Sequence, residues 1–165
     1  MFRRIDDVER VLQSEFDSTR KVLAELTDAS LGQRVTPDGR SLGFLAWHIA
    51  VTIAEMMNRT GLHVDGPEHG PAPAAAEEIR RAYERASNSL LGQIRGSWTD
   101  ASLGDERDMY GERWTNGFSL YALIAHQAHH RGQMTVLMRQ AGLKVPGVYG
   151  PAREEWALMG KPPME

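Results

Sequence analysis

Leu120-Tyr-Ala-Leu-Ile-Ala-His126-Gln-Ala-His-His130-Arg-Gly-Gln-Met-Thr-Val-Leu137 is the stretch on which the fold turns. Its apolar side chains recur at steps of three and four residues, as they do along one face of a helix. With Leu120 at zero on a helical wheel, Leu123, Ile124, Gln127, Met134 and Leu137 gather around a direction near about 320°. His130 points roughly 40° from that direction, His126 roughly 80° and His129 roughly 140°. His130 and His126 therefore occupy the buried side and its shoulder, one turn apart, while His129 faces outward. Two imidazoles spaced i,i+4 can address one metal ion, as in zinc-binding helices. The same spacing also arises in helices that bind nothing, so by itself it leaves both outcomes open.

Similar periodicity extends outward from this helix. Ile5, Val8, Leu12, Phe16, Thr19, Leu23 and Leu26 mark a first helix from about Arg3 to Leu26, with Asp6, Asp7 and Glu9 favouring its positive end. Ser41 reads as the N-cap of a second helix reaching Thr60, where Gly61 stops it. Leu42, Leu45, Ile49, Thr52, Ile53 and Met56 form its buried face. A third helix runs from about Ala75 to Ile94, and the fourth from Asn116–Ser119 to Gln140, with Gly142 as its stop. The segment 61–74, with Gly61, Pro67, Pro71 and Pro73, reads as a long loop of the kind that is often functional or mobile. Residues 95–117 read as an irregular crossover holding a short strand pair near Asp108 to Thr115, and the Pro- and Gly-containing tail after Lys144 as a return over the helices. The expected fold is all-α, a four-helix bundle with uneven connections, in a single domain spanning residues 1–165.

Further candidates lie on these elements. His48 sits roughly 80° from the apolar centre of the second helix, a shoulder like that of His126. Two shoulders meeting between packed helices are a usual place for a metal in a bundle. His63 and His69 fall in the Gly/Pro loop and read as solvated. The run from His126 to His130 resembles the H-E-x-x-H motif superficially, but Gln127 stands where a metalloprotease has its glutamate. An amide cannot accept a proton at neutral pH, so peptidase chemistry is disfavoured. Glu55, two turns after His48, is read first as an exposed helix glutamate and secondly as a hydrogen-bonding partner behind a ligand or a distal proton acceptor. Tyr110, Arg113 and Trp114 precede the fourth helix, either as ordinary loop packing or as the mouth of the site.

Composition narrows the chemistry. The 165 residues carry a formal net charge of -3 and no cysteine. Without a basic balance there is no reason to expect nucleic-acid binding, and without thiols any metal must use imidazole, carboxylate or water. Absent cysteine fits a reducing cytoplasm. The start, Met1-Phe2-Arg3-Arg4-Ile5-Asp6-Asp7, lacks the apolar run of a signal peptide, and no segment has the apolar length to span a bilayer.

The segment His126-Gln-Ala-His-His-Arg-Gly-Gln133 resembles the fourth-helix signature of the DinB/YfiT-like superfamily. Leu137 through Pro146 continues the likeness, and Leu42-Gly-Phe-Leu-Ala-Trp-His48-Ile-Ala resembles the second-helix pattern. The resemblance implies a four-helix bundle of unusual topology, often a homodimer, with a divalent metal held by His48, His126 and His130. Zinc or nickel is the leading expectation for that metal; iron, copper and manganese also suit such ligands. It further implies a small-molecule substrate. Thiol S-transferases that use low-molecular-weight thiols and metal-dependent hydrolases both occur in the superfamily. Three imidazoles leave a coordination position open, as in catalytic rather than structural sites. The expected activities are thus S-transfer of an activated thiol, hydrolysis through metal-bound hydroxide, or metal-dependent binding without catalysis. Arg131 and Gln133, also in the motif, are expected to make structural hydrogen bonds or an interface contact rather than to touch substrate.

Overall fold

The structure, a computed structural model, describes residues 2–163. The ends of the expected domain, Met1, Met164 and Glu165, lie outside the described residues.

The four helices form close to where the periodicity places them: α1 (Ile5–Ala24), α2 (Leu42–Asn58), α3 (Ala76–Ser97) and α4 (Asn116–Gln140). Ser41 caps α2 as expected, its side chain accepting the Phe44 backbone N–H at 3.1 Å, and Thr115 caps α4 in the same way from Phe118 at 3.2 Å. Single-turn 3-10 segments at Asp28–Ser30 and Asp100–Gly104 shape the connections, and a longer one, Arg153–Met159, shapes the tail. An all-α class is not what forms. Residues 106–115 make an antiparallel hairpin, β1 (Glu106–Met109) and β2 (Glu112–Thr115), pairing Glu106 with Thr115 and Met109 with Glu112. Its two-residue turn, Tyr110-Gly111, holds both residues at positive φ, 61° and 88°, as the twist of a tight hairpin requires. The fold is therefore mostly helical with one small sheet. No helix among the described residues is long and apolar enough to cross a membrane.

In space, α1 and α2 each pack against both α3 and α4. Sequence neighbours α1 and α2 are thus held together mainly through the other two helices. The apolar faces read from the sequence make the core: Leu12, Phe16, Leu42, Ile49, Ile53, Ile79, Leu90, Leu120 and Met134 are all almost fully buried.

Polar groups also sit inside this core, Gln127 and Tyr83 among them. Gln127 is 1% exposed and joins helices rather than doing chemistry: its Nε2 donates to the Ile49 carbonyl at 2.7 Å, and its Oε1 accepts the Tyr83 hydroxyl at 3.1 Å and that of Thr19 at 3.5 Å. One amide thereby ties α4 to α2, α3 and α1, with every polar atom used. Burial raises the Tyr83 pKa, which keeps the hydroxyl a proton donor. Tyr83→Phe removes the better of the two donors to Gln127 and is expected to cost about 1–2 kcal/mol by urea denaturation. An unchanged stability would show that the bond contributes nothing net.

The 61–74 loop is pinned rather than free. Asn58 brackets Val64 through both backbone groups, and Asp65 N–H reaches Ser89 at 2.8 Å. Gly66 lies so close to α2 and α3 that a Cβ there would stand 2.6 Å from the Ala54 methyl. The tail does return over the helices, placing the Tyr149 hydroxyl on Glu15 at 2.8 Å.

Candidate metal centre

The three histidines singled out in the sequence meet in the structure. His48 comes from α2 and His126 and His130 from successive turns of α4, the helix pair packed side by side. Nε2 of His48 lies 3.0 Å from Nε2 of His126. The ring centroids are 4.9 Å apart for His48 and His126, 4.8 Å for His48 and His130, and 4.5 Å for His126 and His130. One nitrogen from each ring falls within 4.8 Å of the others. Nitrogens bound at about 2.0–2.1 Å to one tetrahedral ion stand about 3.3 Å apart, so the set is within a small side-chain adjustment of ligating a metal. Burial follows the wheel: His130 is 4% exposed, His48 and His126 are half-buried, and His129 is exposed. The His129 ring stands 4.8 Å from that of His130 but does not join the group.

The surroundings set each ring's tautomer and charge. Gln133, one turn on, accepts from Nδ1 of His130 at 2.7 Å, which leaves the Nε2 lone pair of His130 free for a ligand. Nδ1 of His126 is buried without a partner among the described residues. The Phe44 ring stacks on His48 at 5.7 Å and 12°, and carries the Arg40 guanidinium on its face at 5.0 Å. Desolvation by burial lowers the pKa of all three histidines, that of His126 to about 4. The positive charge of Arg40 adds to the effect on each, and the hydrogen bond that His130 donates to Gln133 opposes it there. At neutral pH the cluster is therefore held as neutral imidazole, the form that ligates.

Other candidates are placed elsewhere. The Glu55 carboxylate accepts the Tyr110 hydroxyl at 2.7 Å and Arg59 Nε at 3.2 Å, and Arg59 lies over the Tyr110 ring at 4.4 Å. Burial and this bond push the Tyr110 pKa up to about 12, so Tyr110 stays the donor. Glu55 thus anchors the hairpin to α2, although its charge is still felt at His48. Trp114 packs edge-on against Phe118 at 4.8 Å, and Arg113 is exposed beside Glu106. His63 and His69 are exposed loop residues, as read. Arg131 and Gln133 do make structural hydrogen bonds. Sequence reasoning did not single out Arg40 and Phe44; the signal was Phe44 at one helical turn before His48.

Comparison with known proteins places the chain in a family and a fold. The sequence matches the DinB family profile over residues 1–164. The chain belongs to the DinB family. The DinB-family chain is 45% identical to the Bacillus subtilis protein YrdA over 161 residues, covering 97% of this chain and 96% of that one. The crystal structure of a DinB-like protein from Bacillus cereus superposes with a TM-score of 0.88 at 41% identity, covering 90% of this chain and 100% of that one. YjoA of Bacillus subtilis, a DinB-like protein, shares the fold alone, with a TM-score of 0.65 at 17% identity over 82% of this chain and 92% of that one.

The depressed histidines give this DinB-family chain a defined acid response. An unfolded histidine titrates near about 6.5, whereas folded His126 titrates at about 4. Between these values the unfolded state binds more protons, so stability falls as pH falls through that window and is fully present above it. Metal release is expected to follow the same direction, with the onset below neutrality. Urea midpoints and metal content measured from pH 7 to 4 check both; retention unchanged throughout would mean that the histidines do not carry the site.

Proposed function

We propose that the chain is a metal-dependent enzyme in which His48, His126 and His130 hold one divalent transition metal, zinc or nickel, and that it transfers a low-molecular-weight thiol to an electrophile. The observation that carries this reading is the convergence of three imidazole nitrogens, with no carboxylate in the group. A divalent ion held there would lower the pKa of a bound thiol and so supply a nucleophile at neutral pH. The chain's own part is to keep its imidazoles neutral by burial and to fix His130 through Gln133. No general base beside the ligands is needed, because deprotonation accompanies binding. On a haloaromatic the new carbon–sulfur bond replaces the carbon–halogen bond, halide leaves unprotonated and the thiol proton passes to solvent, whereas hydrolysis also needs a group that protonates the departing oxygen or nitrogen. Glu55 is the carboxylate whose charge reaches His48, and it is already engaged by Tyr110 and Arg59. That engagement ranks hydrolysis second.

The same reading includes a cytoplasmic homodimer whose helices form a four-helix bundle of DinB/YfiT type. The assay incubates metal-loaded protein with a haloaromatic or epoxide electrophile, with and without a panel of small thiols. Metal-dependent adduct formation with one thiol is the expected result. Turnover of esters or amides without thiol would overturn the ranking, and inactivity in both arms would favour a binding module.

A further inference from the structure

A cavity of about 340 Å³ opens next to the histidines, between the loop before α2 and the second half of α4. Its wall is mostly apolar: Val35, Leu45, Val136 and Leu137, with Gln133 and Arg40 as its polar groups. Two features single it out. First, Arg40 is an uncommitted cation. Most arginines of the chain lie against carboxylates, as nearby Arg139 does with Glu154 at 3.3 Å. Among the described residues Arg40 makes no ion pair and no hydrogen bond; its recorded partner is the Phe44 ring, 5.0 Å from the guanidinium carbon. All its N–H donors are therefore available, in the fork geometry that matches a carboxylate. Second, both polar wall residues are linked to the histidines, Gln133 by direct contact with His130 and Arg40 through one intervening ring. Gln133 uses its Oε1 on His130 Nδ1 and leaves its amide nitrogen free to donate, and Arg40 reaches His48 through Phe44. The effect of the Arg40 charge on all three histidines agrees with that proximity.

We propose that this cavity binds a small organic acid, with its carboxylate on Arg40 and Gln133 and its apolar body against Val35, Leu45, Val136 and Leu137. A neutral apolar compound would use the walls but leave the guanidinium unmatched, and an organic cation would be repelled by it. As the subsite that anchors the anionic end of the substrate beside the reacting centre, the cavity rests on the metal-centre reading. As an anion site it does not.

The test measures binding of octanoate, octan-1-ol and octylammonium by NMR titration, to metal-loaded and to chelator-treated protein. Arg40→Gln and Val136→Glu are compared with wild type. Both positions are exposed, so the variants should keep the wild-type fold by circular dichroism. Octanoate should bind with shifts centred on Leu45, Gln133 and Val136, at least about tenfold more tightly than octylammonium. Arg40→Gln should weaken octanoate about tenfold while leaving octan-1-ol alone, and Val136→Glu should abolish octanoate binding. Equal affinity for octanoate and octylammonium, or an Arg40→Gln variant that binds octanoate as wild type does, would overturn the proposal. The two readings fail separately: a chain that takes up metal without preferring octanoate defeats the cavity proposal alone. One that prefers octanoate through Arg40 but takes up no metal defeats the metal centre and leaves the anion site standing.

Discussion

Replacing His130 with alanine is expected to reduce metal content from about one ion per chain to a trace, whereas replacing His129 leaves it unchanged. Loss of a partner that merely supports a ligand costs about 10–100-fold in metal affinity, and loss of one of only three ligands should exceed that range. His130 is the most buried of the three and its ring lies 4.5 Å from that of His126 and 4.8 Å from that of His48. His129 is its chain neighbour and lies as close to it in ring distance, yet faces solvent. The pair of variants therefore separates ligation from mere proximity. Gln133→Ala should fall between them, with a loss of about 10–100-fold, because the His130 ring keeps its place but loses its Nδ1 partner. Metal analysis after exhaustive dialysis reads all three, with thermal unfolding to confirm that each variant is folded. Equal loss from His129→Ala and His130→Ala would sink the ligand assignment.

Arg131→Ala is expected to be the most damaging single change away from the histidines, at about 3–5 kcal/mol. The Arg131 side chain is 2% exposed and the Glu15 side chain with which it pairs is 12% exposed. Arg131 also donates to the Glu15 carbonyl at 3.0 Å, to Thr19 Oγ1 at 2.8 Å and to the Tyr149 hydroxyl, so α4, α1 and the tail close on one guanidinium. Truncating it leaves a carboxylate in a desolvated place with Tyr149 as its remaining partner. Most of the loss comes from that stranded charge rather than from the net worth of the pair. Arg131→Met combined with Glu15→Leu should therefore recover much of the stability lost in Arg131→Ala. Urea denaturation decides it: a loss below about 1 kcal/mol, or a double variant worse than the single one, would contradict this account of the core.

The helices were legible because each buries one apolar stripe against its neighbours, and such a stripe repeats at 3.6 residues wherever the helix lies. Ser41 marked the start of α2 because capping is local chemistry, whereas α2 ends at Asn58 with Arg59 as its cap, short of Gly61. His126 and His130 were legible for the same reason, since a spacing of four on a known helix fixes relative direction. His48 needed more: its shoulder position allowed a meeting with α4, but nothing in the periodicity of α2 says which helix packs beside it, and the family resemblance supplied that link. What the wheel could not show was the polar interior. Arg131 and Gln127 lie in the core with their hydrogen bonds made by Glu15, Thr19, Tyr83 and Ile49, partners distant in sequence and invisible to periodicity. Arg40 is the opposite case. It reads as one more surface arginine until the structure shows that, among the described residues, no carboxylate meets it and that a cavity does.

The central claim, one divalent ion held by three imidazoles from two helices, is tested most directly by anomalous diffraction from crystals of natively purified protein, with data on both sides of the zinc and nickel edges. One anomalous peak per chain is expected, about 2.0–2.1 Å from a nitrogen of each of His48, His126 and His130. A peak coordinated by other residues, or metal-supplemented crystals with no peak at these histidines, would contradict it.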